Sequence, residues 1–109
     1  MKVIGRDKID SFAGRHAKAG RPLRHWLKKA EAAKWNNVAD IKNTFNSADR
    51  AGPYTIFNIG GNKYRIICQY YFGQQKAHLF VKWIGTHAFY TKLCNNKEQY
   101  SIDSFKGRN

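Results

Sequence analysis

The spacing of the hydrophobic residues changes once along this chain, and that change limits the structures it can form. In the first half these residues recur at helical intervals, as at Ile9, Phe12 and Ala13. From residue 54 the period becomes two, as in strands, which place successive side chains on opposite faces of a sheet. We therefore expect helices in the first half of the chain and a sheet in the second.

Three helices are expected in the first half. The first begins with Asp7 as its N-cap and is closed by Gly20, and Pro22 lies in the first turn of the second. Asn36 or Asn37 caps the third. A DNA-binding helix-turn-helix is a less favoured alternative, because a sheet follows the helices. The apolar residues with helical spacing in the last two helices are Leu23, Trp26, Leu27, Ala30, Val38 and Ile41.

The second half contains three predicted strands, with the sequences YTIFNI, NKYRIICQYYF and KAHLFVKWIG. Gly60 and Gly61 join the first two, because such a hairpin turn requires positive φ angles. One face of the sheet includes Trp83 and is apolar enough to pack against the helices. The other face, called the outer face below, offers Tyr71 and Phe80 for stacking on bases. Its further members are Lys63, Arg65, Ile67, Gln69, His78, Lys82 and Ile84.

The chain is strongly basic, with 20 Lys and Arg side chains, 7 Asp and Glu, and a formal net charge of +13. The excess is spread along the chain: residues 1–50 hold 12 basic and 5 acidic side chains, and residues 51–109 hold 8 and 2. Basic side chains that neutralise phosphates release counterions, so this charge favours a nucleic-acid partner. An acidic partner protein is an alternative.

Several classes of site lack their residues. Cys68 and Cys94 form no CxxC pair and have no histidine at zinc spacing, so a zinc site is not expected. After residue 50 the only acids are Glu98 and Asp103. That excludes paired-carboxylate hydrolases, metal-dependent nucleases and ribonucleases with a carboxylate on the sheet. We expect no metal and no small-molecule cofactor.

The chain has no stretch near the roughly 20 apolar residues of a membrane span, and its N-terminus lacks the apolar region of a signal peptide. We expect no membrane partner and a cytoplasmic protein with reduced thiols. A length of 109 residues is that of one domain. We assign this domain to residues 1–94 and a polar tail to residues 95–109.

Two residues of the second half are expected to carry chemistry. Arg65 lies centrally in its strand among apolar neighbours, and its planar guanidinium suits a phosphate. His87 follows the third strand where the charged face ends, and an imidazole exchanges protons near neutral pH. The lysines of the outer face have a simpler interpretation, because lysines on an exposed sheet protect it from aggregation.

The segments VIGRDKIDSF, WNNVADIK, FNIGGNKYRII and FVKWIGTHAFY occur in this order between about Val3 and Lys92. Together they resemble the HigB-type toxins of bacterial type II toxin–antitoxin systems, within the RelE/ParE superfamily. The resemblance implies an α+β fold, with N-terminal helices packed on a small twisted antiparallel sheet of three to four strands. It also implies ribosome-dependent cleavage of messenger RNA, and neutralisation by an acidic helix-turn-helix antitoxin of the HigA type.

The resemblance also implies roles for single residues. Arg65 matches the arginine that contacts the scissile phosphate, His87 falls where relatives have a basic or acid–base group, and Tyr90 matches a tyrosine of the site. Phe89 and Thr91 depart from the pattern, because close relatives tend to have acidic residues there. The residues expected to bind RNA are Asn58, Lys63, Tyr71 and Lys82.

The implied reaction needs no metal, since the ribose 2′-hydroxyl attacks the phosphorus and a 5′-hydroxyl leaves. Two alternatives stay open from the sequence. One is a non-catalytic module that binds RNA or the ribosome, which the charge and the aromatic residues explain equally well. The other is a superfamily member that inhibits gyrase. The presence of His87 with Tyr90 favours the nuclease over both.

Overall fold

The sheet has five strands instead of the expected three or four. The computed structural model describes residues 2–61, 63–72 and 77–95. Its strands are β1 (Lys2–Ile4), β2 (Asp49–Ala51), β3 (Tyr54–Ile59), β4 (Tyr64–Phe72) and β5 (Ala77–Thr86). Their order is β1-β5-β4-β3-β2, and β1 pairs with β5 in parallel while the other pairs are antiparallel. The three predicted strands are confirmed, whereas β1 and β2 are too short to show alternation.

The helices of the described residues lie on both faces of this sheet, in an α+β fold as expected. They are α1 (Arg6–Arg15), a 3₁₀ helix (Ala17–Ala19), α2 (Gly20–Ala32), α3 (Val38–Thr44) and α4 (His87–Asn95). Helices α1, α2 and α3 pack on the face opposite the outer face, called the inner face below, and α4 packs on the outer face. None of these helices is long and apolar enough to cross a membrane.

The hydrophobic core between the inner face and the helices α1 to α3, called the inner core, confirms the predicted apolar stripes. Asn37 caps α3, since its side chain accepts a hydrogen bond from the backbone N–H of Asp40 at 3.1 Å. Pro22 lies in the first turn of α2, as expected. A buried hydroxyl ties the two layers together, because Tyr70 on β4 donates to the carbonyl of Trp35 at 2.6 Å. The buried stripe residues are Leu23, Trp26, Leu27, Ala30 and Ile41.

Two predicted helix ends are wrong. The N-cap of α1 is Gly5, and Asp7 lies inside the first turn. Gly5 has a φ of 101°, and a Cβ there would lie 3.0 Å from the Cβ of Val81, so a glycine is needed where the chain turns from β1 into α1. Gly20 begins α2 in a right-handed helical conformation and does not close α1, because the 3₁₀ helix leads directly into α2.

The hairpin between β3 and β4 is as predicted. Gly60 and Gly61 have φ angles of 63° and 61°, in the left-handed region that glycine adopts without strain. The β3–β4 register places Asn58 directly opposite Arg65. The turn therefore sets which polar side chain lies beside the arginine.

A β-bulge in β5 reverses the predicted faces of Trp83 and Ile84. Ile67 of β4 pairs with Trp83, and the next residue of β4 pairs with Val81, so Lys82 is the extra residue. Trp83 consequently belongs to the hydrophobic core on the outer face, called the outer core, and Ile84 belongs to the inner core. Strict alternation gives the opposite assignment, because a single inserted residue leaves no mark on a period-two pattern.

The sequence pattern does not predict helix α4, which covers part of the outer face. Phe89 and Tyr90 of this helix pack against a second hydrophobic core on the sheet. The helix ends at Asn95, where the polar tail was expected to begin. Residues 96–109 lie outside the described residues, so the boundary between domain and tail stays a prediction. The buried members of the outer core are Ala51, Tyr54, Ile56, Ile67, Trp83 and Leu93.

We expect Leu93→Ala to lower the free energy of unfolding by about 2–5 kcal/mol, because Leu93 is 1% exposed and its loss leaves a cavity under α4. Lys92→Ala is the matched control, since that neighbouring side chain is exposed and its removal should cost less than about 0.5 kcal/mol. Urea denaturation followed by tryptophan fluorescence measures both. Equal stability of the two variants would show that α4 does not pack on the sheet in solution.

Candidate functional site

The sequence predicted Arg65 on an open face of the sheet, but in the structure it lies beneath α4. It is the second residue of β4, and its cross-strand neighbours are Asn58 on β3 and Gly85 on β5. Only 7% of its surface is exposed. The expected solvent-facing cation is therefore a buried one, whose charge acts in a medium of low dielectric constant.

The guanidinium group of Arg65 is oriented by contacts to two tyrosines. Its Cζ lies 5.7 Å from the ring centroid of Tyr90, within the range of a cation–π interaction. Its Nη1 donates a hydrogen bond to the carbonyl of Tyr64 at 3.2 Å. A planar guanidinium held in this way keeps the fork geometry that suits two oxygens of one phosphate.

Tyr90 is held in its neutral form. Burial is the largest cause that raises the pKa of Tyr90, followed by the hydrogen bond with Cys94; the charge of Arg65 lowers it, and the charge of Asp49 adds a smaller increase. The pKa of Tyr90 consequently lies well above the usual tyrosine value of about 10. At neutral pH this side chain can donate a hydrogen bond or stack on a ring, but it cannot accept a proton as a general base.

His87 is fixed at the junction of β5 and α4, with its side chain exposed. Its backbone N–H donates to the carbonyl of Lys63 at 2.9 Å, and its carbonyl accepts from the hydroxyl of Thr91 at 3.0 Å. The hydroxyl of Thr86 accepts from the N–H of Phe89 at 3.2 Å and so caps the first turn of α4. The side chain of Lys63 is exposed as well. Lys63 and His87 each lie two residues from the Arg65–Gly85 pair, so two exposed basic side chains are at the edge of the sheet next to the buried arginine, called the rim below.

The structure divides the predicted site residues into two groups. Tyr71 lies six residues beyond Arg65 on β4, which corresponds to about 20 Å at about 3.3 Å per residue. Lys82 belongs with Tyr71, because its Nζ lies 5.7 Å from the ring centroid of Phe80, and that ring contacts Tyr71. The group at the other end of the sheet consists of Asn58, Lys63, Arg65, His87 and Tyr90.

One carboxylate near the site was not expected from the sequence. Asp49 lies on β2 and pairs with Ile56, whose side chain is in the outer core, so Asp49 shares the outer face. Its charge contributes to the raised pKa of Tyr90. The expectation that the sheet has no carboxylate is therefore wrong. Only the short strand β2 brings this residue to the sheet, and a three-residue strand gives no periodic signal.

Two surface cavities lie between helices and the sheet, and the second is lined in part by Asn58 of this group. One of about 520 Å³ lies between α3 and β2, next to Ile41 and Lys42. Another of about 470 Å³ lies between α2 and the β3–β4 turn, next to Trp26 and Lys29. Among the described residues, no three His, Cys, Asp or Glu side chains gather in a way that could hold a metal ion. The candidate site is an open rim around a buried cation.

The sequence of this chain also matches a known protein family. The model of the HigB toxin family, the RelE-like toxic component of a toxin–antitoxin system, matches residues 19–93, more than half of the chain. The chain belongs to the HigB toxin family. The match includes Asn58, Arg65, His87 and Tyr90 of this toxin, whereas the segment VIGRDKIDSF precedes it. None of the curated proteins matches the chain significantly.

Two residues of α4 that depart from the expected acidic pattern have other contacts in this toxin. Phe89 packs against Trp83, with 6.0 Å between the ring centroids. Thr91 donates the hydrogen bond to the carbonyl of His87. Both residues therefore help to hold α4 in place.

We expect Tyr90 to stay protonated at pH values where exposed tyrosines ionise. Because the folded pKa is raised, the neutral phenol contributes stability that is fully present below about pH 10 and is lost as the pH rises above it. An ultraviolet difference titration against Tyr90→Phe should show ionisation of Tyr90 above the usual range. The free energy of unfolding should also fall more steeply above about pH 10 than it does in Tyr90→Phe. Ionisation at the ordinary value would show that Tyr90 does not pack against the sheet in solution.

Proposed function

We propose that this toxin is an endoribonuclease that cleaves messenger RNA on the ribosome and so inhibits translation. The observation that carries the proposal is the buried guanidinium of Arg65, which lies over the ring of Tyr90 at a rim where His87 and Lys63 are exposed. The ribose 2′-hydroxyl gives its proton to solvent and attacks the adjacent phosphorus, a 2′,3′-cyclic phosphate forms, and the 5′-oxygen leaves and takes up a proton. This reaction requires charge stabilisation and proton transfer, which these residues can supply.

Arg65 stabilises the negative charge that develops on the phosphoryl oxygens. Burial removes most of the water that would screen its charge, so the attraction to an oxyanion is stronger than at an exposed site. The contacts to Tyr64 and Tyr90 fix the guanidinium before the substrate arrives, and little reorganisation accompanies the reaction. The phosphate reaches it from the rim, where the exposed Asn58 is its neighbour on β3.

His87 donates a proton to the leaving 5′-oxygen. Its backbone is fixed at the start of α4, and its exposed imidazole can reach a substrate that lies across the rim. Tyr90 remains a phenol and therefore orients the substrate or stacks on a base, without taking a proton itself. Lys63 holds a neighbouring phosphate, and the net charge of +13 draws the toxin to ribosomal RNA. Positioning by the ribosome lowers the barrier further.

The sharpest test removes the charge of Arg65 and the proton of His87 separately. Arg65→Met keeps a long apolar side chain under α4, and it should lower cleavage by about 10²–10³-fold, the usual loss for one transition-state donor. His87→Gln keeps a hydrogen-bonding group but cannot transfer a proton, so it should lose about 10²-fold or more. The measurement is cleavage of a ribosome-bound message, read by primer extension, with a thermal melt of each variant.

The controls are Lys28→Met, which also replaces a cation by methionine, and His25→Gln, which makes the same substitution as at His87; both lie at exposed positions of α2. Lys29 is unsuitable as a control, because its Nζ lies over the ring of Phe45 at 5.0 Å. The site variants should lose activity while the controls retain it. If His87→Gln and His25→Gln lose equal activity, His87 is not the acid, and a non-catalytic RNA-binding module would replace the nuclease.

A toxin of this family has an antitoxin partner, and we propose that this partner is an acidic helix-turn-helix protein of the HigA type. Complementary charge supports the proposal, since the toxin carries a net charge of +13. Expression of the toxin alone should arrest bacterial growth, and coexpression of the antitoxin encoded beside it should restore growth. Normal growth with abundant soluble toxin would contradict the proposal. The doubly substituted Arg65→Met, His87→Gln protein is the matched control and should not arrest growth.

A further inference from the structure

The outer face of the sheet has a second half that the packing of α4 does not cover. At the end of β4 away from Arg65, side chains from β1, β4 and β5 share this face, because Tyr71 pairs with His78, and β1 runs in register beside β5. None of these side chains is a buried member of the outer core under α4. We name them the aromatic-basic patch. Its members are Lys2, Ile4, Tyr71, His78, Phe80 and Lys82.

Tyr71 is the most distinctive residue of the aromatic-basic patch. It is 43% exposed and is the one exposed large hydrophobic side chain among the described residues. It meets Phe80 edge to face, with 4.8 Å between the ring centroids and 75° between the ring planes. Phe80 is only partly buried, and His78 lies 6.3 Å from its ring. A perpendicular pair of rings at a surface offers a flat face on which a third ring can stack.

The charges of the patch all have one sign. Lys2 is exposed at the edge strand β1, and its neighbour across the strands is His78. The Nζ of Lys82 lies over the ring of Phe80 at 5.7 Å, so one ammonium group stands beside the aromatic pair. No Asp or Glu belongs to the patch among the described residues. Cations interleaved with aromatic rings are the composition of surfaces that bind single-stranded nucleic acid.

We propose that the aromatic-basic patch is a second RNA-binding site, which stacks a base of single-stranded RNA on Tyr71 and holds phosphates with Lys2 and Lys82. The inference rests on the proposed function for RNA as the ligand. The patch lies about 20 Å from Arg65 along β4, about six nucleotides at a stacked spacing of about 3.4 Å. One RNA strand can occupy both sites. The patch contributes affinity and register, and the distant rim performs the chemistry.

The test uses a fluorescent 2′-O-methyl oligouridylate of about 12 nucleotides, about twice the stacked distance between the two sites. This probe has no 2′-hydroxyl and cannot be cleaved, so binding is measured independently of catalysis. Tyr71→Leu should weaken binding about tenfold, because leucine keeps apolar area but cannot stack, whereas Tyr71→Phe should bind like the unchanged toxin. Lys82→Met should reduce the slope of log affinity against log salt by about one, and Lys18→Met, exposed on the 3₁₀ helix, should not.

Each outcome decides a separate question. If Tyr71→Leu binds the probe as tightly as Tyr71→Phe while both keep the melting temperature of the unchanged toxin, the patch is not an RNA site. If Tyr71→Leu instead loses affinity for the antitoxin alone, the patch is a protein-docking surface, and the inference is overturned. If the patch variants weaken binding but the unchanged toxin cleaves no message on the ribosome, the patch stands and the proposed nuclease activity fails.

Discussion

The packing of α4 against the outer face of the sheet determines the character of the candidate site. Without that helix, Arg65 would be a solvated side chain on the wet face of an antiparallel sheet. Beneath α4 its exposure falls to 7%, which costs desolvation energy and also strengthens its attraction to an anion. Apolar contacts of Leu93 with the outer core offset that cost. A small hydrophobic cluster therefore turns an ordinary surface cation into a buried one.

The bulge at Lys82 connects this cluster to the rest of the fold. Because of the extra residue, Trp83 lies under α4 while Ile84 reaches the inner core. With regular alternation through this strand, Trp83 would face the inner helices instead. It could then not make its ring contacts with Phe89 and Tyr90 of α4. One inserted residue thus allows β5 to serve both cores. The inserted residue, Lys82, is itself a member of the aromatic-basic patch.

The sequence predicted those elements whose signals extend over many residues or depend on one special residue. The long strands β4 and β5, the stripe of α2, the two glycines of the hairpin and the cap at Asn37 are of this kind. Strands β1 and β2 have three residues each and exist only through pairing with their neighbours. The burial of Arg65 was not predictable, because it depends on α4, and the short segment that forms this helix has little helical pattern. The residues of the candidate site were therefore named from the sequence and stay predictions, whereas the burial of Arg65 and its distance from Tyr71 depend on the packing and were not predicted.

The missing acids of α4 have a counterpart elsewhere in the fold. At Phe89 and Thr91, where the resemblance leads one to expect acidic residues, the side chains instead pack on the sheet and hydrogen-bond within the helix. A negative charge from strand β2 acts on a residue of this helix, because Asp49 makes a small contribution to the raised pKa of Tyr90. Arg65 acts on Tyr90 in the other direction, so the phenol lies in the fields of one cation and one anion supplied by different strands. The electrostatics around this tyrosine are thus a property of the sheet's pairing, which the local sequence of α4 does not contain.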